Sequence, residues 1–478
     1  MAILLTLLGL PALIFGITDA IFHTNSATEA CKEIEGKISK DSGVVYPINL
    51  ARYNEDTRHW FLSSNDKPAC VVEAGSQEDI SLVLRIVGES RTPFAVYSAG
   101  HASNPGFSST TGVHISLTGF TQVKLSEDKK TVWTNIYDAL KHTGVNVVGG
   151  RVPGPGVGGF TLGGGYSWKT NQYGLTCDTV KSFNLVLPNG TITTASSDYN
   201  KDLFFALKGG LNRFGIVTSA EYYTHPQTPK VWGGLRIYLP SQVHKLLNAT
   251  ERFAHENKDA KAGLIVTLDG GGLGVGAKAL LFNDGPEKPP IFDLFDGFLT
   301  TLDNIGSKLY KEFIYSFPSN LVTNCRGRFA TFSTSALTGP FIEAVRAEAE
   351  AIGKVSALHS GTTVSFDIEP FTNYGQFDAD AAYPHADSPL PLNLYFAWTN
   401  PAKDDWWVAR MNLALNKLRQ VAVEEDIYKE TFTDYPNYAL TETTGERLYG
   451  SRNAARLRAI RDRIDPDRIM DLAGGFAL

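Results

Sequence analysis

The sequence predicts an α+β protein built from two parts, and three observations support this prediction. The chain has 478 residues, which is more than a single typical domain contains. Residues 70–97 have the pattern of a strand, a helix and a second strand, and a glycine-rich run follows at residues 149–168. From about residue 228 strands alternate with amphipathic helices, which indicates a separate α+β domain.

In the first part, CVVEA predicts a strand, SQEDISLVLRIVGES a helix that begins after Ser76, and PFAVYS a second strand. The loop AGHASNPGF follows, so His101 lies just after the end of a strand, where open α/β sheets bind ligands. Three short strands (HISL, FTQVKL, TVWTNI), a helix, the glycine run, the hairpin FNLVLPNGTITTAS and the strand FGIVTSAEYYT complete this part.

Nine of the twenty residues in GGRVPGPGVGGFTLGGGYSW (149–168) are glycine. A disordered linker would mix glycine with Ser, Lys or Glu, whereas this run carries Val157, Phe160 and Leu162, whose burial is favourable. Because ordering a glycine costs roughly 0.5–1 kcal/mol in regular structure, something must hold the run in place. We expect a bulky ligand that the backbone approaches closely, with N–H groups facing anionic oxygens.

The second part is predicted from five strands and three long helices. The strands are GGLRIYL, AGLIVTL, KALLF, TTVSFDI and LNLYFAW, and the helices are SQVHKLLNATERFAHEN, GPFIEAVRAEAEAIG and DDWWVARMNLALNKLRQVAVEE. The last fifty residues differ again, since YPNYAL precedes the basic helix RNAARLRAIRDRI.

Composition and the N-terminal sequence limit the classes to which the protein can belong. The chain is 43% hydrophobic and 20% charged with a net charge of −6, so we expect no nucleic-acid partner. The N-terminal stretch MAILLTLLGLPALIFGITDA lacks a basic segment, contains Pro11, and has an apolar part that is shorter than the roughly 20 residues of a membrane span. A cleaved signal peptide at residues 1–20 therefore fits better than a membrane anchor, and we expect secretion. Asn189 and Asn248 start glycosylation motifs, although the first lies in LPNGTI, which is equally typical of a hairpin turn.

Secretion permits disulfides, and Cys31 with Cys70 is the expected pair, because both lie early in the chain outside any CxxC spacing. Cys177 and Cys325 are expected to be free, buried thiols. Motifs of several other site classes are missing: GxxxxGK[ST], HExxH, CxxC and GxSxG. We therefore expect no metal site and no α/β-hydrolase chemistry.

Several segments, in order from about residue 45 to the C-terminus, resemble the berberine-bridge-enzyme-like (BBE-like) flavoproteins of the vanillyl-alcohol-oxidase superfamily, especially their fungal secreted branch. They are YSAGHASNPGF, GGRVPGPGVGGFTLGGGYSWKTNQYGLTCDTV, LPNGTI, DLFFALKGGLNRFGIVTSAEYY, YPNYAL and YGSRNAARLRAIRDRIDPDRIM. The resemblance implies a two-part PCMH-type FAD-binding domain, formed by both ends of the chain, and a central substrate domain whose antiparallel sheet is covered by helices. The implied boundaries are 1–20 for the signal peptide, 21–227 and 426–478 for the FAD domain, and 228–425 for the substrate domain.

The resemblance also implies the residues that hold FAD. His101 matches the histidine that family members bond to the flavin 8α-methyl group, a bond that fixes the ring and makes it a stronger hydride acceptor. The other implied cofactor-binding residues lie in three segments: Ser98, Ala99, Gly100, Ala102 and Ser103; Gly154, Gly156, Gly158, Gly159, Gly163 and Gly164; and Gly215, Ile216 and Val217.

The chain departs from the family pattern at several positions. Ala99 stands where many relatives have glycine, a change we expect to be tolerated. Val152 stands where doubly attached members have a cysteine, so we predict a single covalent link through His101. Pro155 occupies the position that controls the approach of oxygen in some relatives, which leaves the oxidant open, and Phe160 replaces a histidine of plant relatives.

Hydride transfer from a C–H bond needs removal of the neighbouring O–H or N–H proton. By the resemblance Tyr438 is the base, although a phenol has a pKa near 10 and needs positive charge or hydrogen bonds to act at neutral pH. Asn393 and Tyr395 share one strand face and are candidate substrate contacts. Asp367 and Glu369 offer a second acid or base, but charged residues on the solvent face of a sheet are commoner.

These expectations describe a secreted oxidoreductase with FAD held by His101, which oxidises an alcohol, a sugar hydroxyl or an amine, with O₂ as the acceptor. An FAD-dependent dehydrogenase and an oxidative cyclase of secondary metabolism are alternatives within the enzymes. A flavin-carrying or carbohydrate-binding protein without turnover is the alternative from another class, and the presence of Tyr438 argues against it.

Overall fold

The computed structural model describes residues 26–120, 122–123, 136–317 and 324–478. The predicted signal peptide lies outside these residues, as does most of the predicted strands FTQVKL and TVWTNI. Among the helices of the described ranges, we find none with the length and apolar character that a bilayer crossing requires.

The N-terminal part begins with a small mixed sheet. Its elements are α1 (26–37), β1 (Gly43–Val45), α2 (Leu50–Thr57), β2 (Cys70–Glu73), α3 (Gln77–Glu89), β3 (Phe94–Tyr97) and β4 (Val113–Ser116). The predicted strand–helix–strand unit is confirmed, and β4 lies between its two strands, parallel to both. The helix α3 begins as predicted, because Ser76 Oγ accepts a hydrogen bond from the Asp79 backbone N–H at 3.1 Å. A disulfide between Cys31 and Cys70 joins α1 to β2, also as predicted. Cys177 is buried as expected, whereas the expectation for Cys325 is wrong, because its side chain is only partly buried.

A second antiparallel unit follows. Its elements are α4 (Ile136–Ala139), β5 (Val145–Asn146), α5 (Val157–Leu162), α6 (Thr170–Tyr173), β6 (Val180–Val186), β7 (Ile192–Ser196), α7 (Lys201–Leu207), β8 (Ile216–Tyr222) and β9 (His225–Pro226). The predicted hairpin is present, with β6 paired to both β7 and β8. Asn189 shapes its turn, since its side-chain oxygen accepts from the Thr191 N–H at 3.0 Å. Part of the glycine run, expected as a loop, is the short helix α5.

The central part is an eight-stranded antiparallel sheet with helices on one face. Its elements are β10 (Val231–Tyr238), α8 (Val243–Glu256), β11 (Ala262–Gly271), β12 (Gly274–Asn283), β13 (Thr300–Asp303), β14 (Gly306–Lys308), α9 (Tyr310–Ile314), β15 (Arg326–Thr334), α10 (Gly339–Ser356), β16 (Gly361–Ile368), β17 (Leu390–Trp398) and α11 (Asp404–Glu424). The strand order is β13-β10-β12-β11-β16-β17-β15, with β14 also paired to β10. The predicted α+β class is confirmed, whereas the edge strand β15 was not predicted.

Strand alternation determines which face of this sheet meets the helices. Leu392, Leu394 and Phe396 of β17 are buried in the core that also contains residues of α10 and α11. The odd-numbered residues of β15, β16 and β17 therefore face the other way, toward the N-terminal part of the chain.

The C-terminal residues return to the N-terminal part. After the helix α12 (Gly445–Ile464), Ala473 forms a bridge with Phe94 of β3. The buried Arg213 donates hydrogen bonds to the carbonyls of Phe476 at 2.8 Å and Gly475 at 2.7 Å. The C-terminal segment therefore packs beside the small mixed sheet of the N-terminal part.

Candidate functional site

The loop that carries His101 and the glycine run lie against each other. A Cβ atom on Gly156 would stand 2.8 Å from Ser98 Oγ and 3.0 Å from the Ala99 nitrogen. A Cβ on Gly154 would stand 3.4 Å from Cδ2 of the His101 ring, and Gly154 has a φ of +119°, which L side chains rarely adopt. Side-chain-free backbone therefore passes directly beside the imidazole.

The same segment leaves space on its outer side. Gly154 and Gly159 are exposed, and a Cβ on Gly159 would meet no atom of the described residues within 4 Å. Gly158 stands beside Ser98, at 3.8 Å from its Oγ by the same measure. The first turn of α5 also leaves backbone N–H groups without a partner inside the helix. An open cradle of N–H groups next to an imidazole fits a flat ring with an anionic diphosphate.

The remaining predicted glycines have packing roles. A Cβ on Gly163 would overlap the side chain of Asn437, and Gly164 lies against Tyr383 and Tyr435. Gly215 has a φ of +131° and its Cβ position is filled by the Val186 carbonyl, next to Ile216 and Val217 at the start of β8. These contacts explain the glycines without a ligand, so their part in cofactor binding stays a prediction.

The His101 ring lies between two aromatic side chains. Its centroid is 4.8 Å from that of Trp60 and 6.1 Å from that of Phe329, and the Phe329 ring is nearly parallel to it at 9°. Burial lowers the pKa of His101 to about 4. The imidazole is therefore neutral at physiological pH, with a nitrogen lone pair available for bond formation.

Three contacts fix the residues after His101. The Ala102 carbonyl accepts from Ser64 Oγ at 2.8 Å, and Ser103 Oγ accepts from the Phe329 N–H at 3.2 Å. Asn104 Nδ2 donates to the Ala439 carbonyl at 2.9 Å. Gly100 makes the turn before His101 with a φ of +63°. The loop is thus attached both to β15 and to the segment that contains Tyr438.

Tyr438 also packs against Phe329, with ring centroids 5.9 Å apart. Its hydroxyl accepts a hydrogen bond from Arg151 Nη2 at 2.7 Å and is 3.5 Å from Glu369 Oε1. The structure therefore brings the predicted base and the predicted attachment residue to the same aromatic ring, and Tyr438 stays partly exposed.

Arg151 and Glu369 form a buried forked ion pair beside this hydroxyl. Arg151 Nη1 is 2.7 Å from Glu369 Oε2, and Nη2 is 2.9 Å from Oε1. The side chains are only 9% and 2% exposed, and the guanidinium lies 5.5 Å from the centre of the Phe371 ring. The expectation that Glu369 lies on a solvent-facing sheet surface is wrong, because it is buried with Arg151.

Burial and charge act in opposite directions on these groups. Burial raises the pKa of Tyr438 well above its usual value, although the charge of Arg151 opposes this. Burial likewise raises the pKa of Glu369 against the lowering effect of Arg151. The positive charge that the sequence analysis required beside Tyr438 is present, yet the phenol is protonated at neutral pH.

Asn393 and Tyr395 lie on the sheet face opposite the helices, the same face as Phe329. Tyr395 packs against Phe329 and Phe61, with ring centroids 5.3 and 5.6 Å apart. Asn393 Nδ2 donates to Asp367 Oδ2 at 2.9 Å, across the β16–β17 register. Asp367 is therefore a partner of Asn393 and not a residue of a wet surface.

The positions that depart from the family pattern belong to the same run. Val152, Pro155 and Phe160 are all partly exposed, between Arg151 and the end of α5. The carbonyl of Phe160 accepts from Asn437 Nδ2 at 3.1 Å. The run is thus bonded to the YPNYAL segment just before Tyr438.

A separate group of potential metal ligands has another explanation. The ligand atoms of Asp178, Asp378 and His385 lie within 4.8 Å of one another. His385 Nε2 is 2.9 Å from Asp178 Oδ2, which also accepts from the Leu175 N–H at 2.8 Å, and Asp378 Oδ2 accepts from the His385 N–H at 3.1 Å. These contacts hold neighbouring turns together.

Sequence reasoning missed Trp60, Asn104, Arg151 and Phe329. Arg151 stands inside the quoted glycine run, so its charge in an otherwise apolar segment was an available signal. Phe329 could have been found only by recognising RGRFATFST as a strand. Trp60 and Asn104 reach the site through tertiary packing alone.

Comparison with known proteins supports an FAD-binding fold. Residues 68–196 match the family described as FAD binding domain. An FAD-linked oxidoreductase of Arthroderma benhamiae is 36% identical over 313 residues, covering 63% of this chain and 61% of that protein, so less than two thirds of this relative is matched. The FAD-dependent monooxygenase FUP4 of Fusarium proliferatum is 29% identical over 495 residues, with 92% of each chain covered.

Solved structures share the whole fold at low sequence identity. The BBE-like 1 protein of Physcomitrella patens superposes with a TM-score of 0.76 at 18% identity, covering 93% of this chain and 98% of that chain. The glucooligosaccharide oxidase of Acremonium strictum gives a TM-score of 0.75 at 18% identity, covering 94% and 97%, and is described with a 6-S-cysteinyl, 8α-N1-histidyl FAD.

Proposed function

We propose that the chain is an FAD-linked oxidoreductase that oxidises an alcohol, a sugar hydroxyl or an amine by hydride transfer to covalently held FAD. The match of residues 68–196 to an FAD binding domain and the fold shared with the BBE-like proteins support this proposal. One observation carries this proposal. The neutral His101 imidazole and the Tyr438 ring both pack against Phe329, and glycine backbone lies beside the imidazole.

FAD, when bound, supplies the two-electron acceptor. His101 is the proposed attachment residue for the 8α carbon, because its imidazole is uncharged and Gly154 leaves the ring accessible. The backbone of Ser98–Ser103 and of the Gly154–Gly159 stretch would face the diphosphate. A single link is proposed, since Val152 has no side-chain atom that could form a second one.

The remaining residues act on the substrate. Tyr438 would accept the proton of the O–H or N–H group next to the oxidised carbon. Tyr395 and Phe329 form an aromatic wall that can pack against the substrate and exclude water. Asn393 lies behind them, held by Asp367, and is a proposed polar contact.

Oxygen is the proposed acceptor, with H₂O₂ as the product, and extracellular space the proposed location. The support is indirect. The apolar N-terminal run fits a signal peptide, the disulfide fits an oxidising compartment, and sugar oxidases are among the proteins that share the fold.

The test begins with the cofactor. Protein purified with its yellow colour is denatured and precipitated, and we expect the colour to stay with the pellet. His101→Ala should release it, whereas His142→Ala, a surface histidine outside the site, should not. A yellow pellet from the His101→Ala variant would refute the attachment residue.

Activity is tested next, with benzyl alcohol, xylobiose and benzylamine as probe donors under air. We expect H₂O₂ and flavin reduction with at least one donor class, and loss of flavin reduction in Tyr438→Phe with the flavin still attached. Fast anaerobic reduction followed by slow recovery in air would favour a dehydrogenase instead.

A second candidate function follows from the relatives. FUP4 is named an FAD-dependent monooxygenase, and an oxidative cyclase of secondary metabolism is a related possibility. A product sixteen mass units heavier than the substrate would support a monooxygenase, and a product two units lighter with a new ring would support a cyclase.

A further inference from the structure

Arg151 forms hydrogen bonds to both the Glu369 carboxylate and the hydroxyl of Tyr438, the proposed base. The reaction proposed above gives Arg151 no role. We propose that Arg151 is a positioning residue for proton transfer, which holds Glu369 as the final acceptor of the substrate proton and leaves Tyr438 to relay that proton. The inference rests on the proposed function, because it concerns the same hydroxyl group.

The hydroxyl geometry sets the direction of transfer. A phenol oxygen donates one hydrogen bond through its O–H and accepts hydrogen bonds through its lone pairs. Arg151 Nη2 occupies one acceptor position at 2.7 Å, and Glu369 Oε1 is the acceptor toward which the O–H points, at 3.5 Å. The remaining lone pair of Tyr438 is the one that a substrate O–H or N–H can reach from the exposed side.

Arg151 cannot take the proton itself, because its guanidinium stays protonated in proteins. Glu369 is the nearest group that can, and both of its oxygens are fixed by the forked pair with Arg151. Burying an ion pair costs free energy, because both charges lose their contact with water. A purely stabilising role is therefore a poor explanation for the Arg151–Glu369 pair.

The charged and titratable groups around the pair are few. Glu369 faces Arg151, Tyr438 and, from its own strand, Asp367. Tyr438 faces the same groups together with Tyr435. Arg151 is the cation that acts on both groups, so its removal should affect both together.

The proposed step is balanced in atoms and electrons. The substrate loses its O–H or N–H proton to Tyr438 Oη, while the proton of Tyr438 moves to Glu369 Oε1. The C–H hydrogen leaves with two electrons as a hydride to FAD, and the substrate gains a C=O or C=N double bond. Tyr438 ends the step as neutral as it began, which removes the difficulty posed by its raised pKa.

The first test is an infrared titration of the purified holoenzyme, which reads the protonated carboxyl group of Glu369 and needs no turnover. Arg151→Met removes the counter-charge, so the acid dissociation constant of Glu369 should fall about tenfold or more and its carboxylic-acid band should persist to higher pH. The double variant Arg151→Met/Glu369→Gln should lack the band. Arg151→Lys, which keeps the charge, should restore most of the wild-type titration.

The second test is the pH profile of anaerobic flavin reduction by the donor that succeeds among benzyl alcohol, xylobiose and benzylamine. Its inflection should move upward in Arg151→Met together with the infrared titration. If the titration of Glu369 moves and the inflection does not, Glu369 is not the proton acceptor and the inference is overturned. An unchanged titration in Arg151→Met overturns it as well.

Two controls separate this inference from protein damage. Arg447 forms a comparable forked pair with Asp434 in the same C-terminal segment, so Arg447→Met should leave the Glu369 titration unchanged. Arg151→Gln, which keeps a hydrogen-bond donor, gives the same reading if Arg151→Met does not fold. Failure of all three donors counts against the proposed function, while the infrared titration still decides the role of Arg151.

Discussion

Asn104 donates a hydrogen bond from its side-chain Nδ2 to the backbone carbonyl of Ala439 at 2.9 Å. Asn104 lies three residues after His101, and Ala439 directly follows Tyr438. One buried amide therefore joins the loop of the proposed flavin attachment to the segment of the proposed base, which are 335 positions apart in the chain. The distance between these two chemical groups depends on this bond.

Asn104→Ala should destabilise the protein and impair the site together. Removing the donor leaves the buried Ala439 carbonyl without its partner, at a cost of about 1–3 kcal/mol in the free energy of unfolding. Denaturant unfolding measures this loss. Asn412→Ala is the matched control, because it removes an exposed amide that bonds to Val408 on the helix α11, and it should change stability by no more than about 0.5 kcal/mol. Equal losses in the two variants would contradict the assigned importance of the bond.

Gly156→Ala should reduce FAD incorporation. The new methyl group would stand 2.8 Å from Ser98 Oγ and 3.0 Å from the Ala99 nitrogen, so the glycine run and the loop that carries His101 must move apart. The ratio of flavin to protein absorbance in purified protein measures the effect. Gly36→Ala is the control, since it lies on α1 with no atom within 4 Å of its Cβ position, and it should keep full flavin content and gain up to about 1 kcal/mol of stability. Normal flavin content in Gly156→Ala would show that the two segments do not need this close contact.

Covalent attachment should tolerate acid. Burial lowers the pKa of His101 to about 4, so the reactive neutral imidazole persists through the range in which an ordinary histidine, with a pKa near 6.5, becomes protonated. Apoprotein incubated with FAD should acquire covalent flavin at similar rates from about pH 7 down to about pH 5, and more slowly near pH 4. Flavin that remains with denatured protein measures the rate. A midpoint near 6.5 would mean that the imidazole is solvated.

The lowered pKa of His101 also makes the stability of the apoprotein depend on pH. Because the folded-state pKa of His101 lies below the unfolded value, the unfolded chain binds more protons between these two values. The contribution of His101 to stability is therefore present above pH 6.5 and is lost as the pH falls toward 4. His101→Phe apoprotein should lose less stability over this interval than the wild type.

Asp284→Asn should be strongly destabilising. Lys169 has no exposed side-chain surface and forms an ion pair with Asp284, which also accepts from Gln227 Nε2 at 2.8 Å. Removing the carboxylate leaves a buried ammonium without a counter-charge, at a cost of about 3–5 kcal/mol. Thermal or denaturant unfolding measures the loss, and Lys169→Met/Asp284→Asn should recover most of it.

The stability lost in Asp284→Asn should depend on pH in one direction. Burial lowers the pKa of Lys169, and loss of Asp284 removes the charge that opposes this effect. The unfolded chain then binds more protons than the folded chain below the ordinary lysine pKa near 10.4, so the defect of Asp284→Asn should shrink as the pH rises toward that value. A defect independent of pH would argue that Lys169 is already neutral in the folded protein.

The sequence by itself determined the elements whose signals are local. The pattern of apolar residues predicted the strands β2 and β3 and the helix α3, and LPNGTI predicted the hairpin. These signals are local, because strand period, helix period and turn chemistry depend on neighbouring residues. The glycine run and the histidine after a strand pointed to a cofactor for the same reason, since both are short segments with a distinct composition.

Tertiary structure alone decided how these segments form a site. The sequence could not bring Phe329 into contact with both His101 and Tyr438, because β15 reaches them only as the edge of a sheet assembled from distant strands. It also could not pair Arg151 with Glu369, which are 218 positions apart and each ambiguous alone. Burial makes that pairing obligatory, because a charge removed from water needs an opposite charge at hydrogen-bond distance.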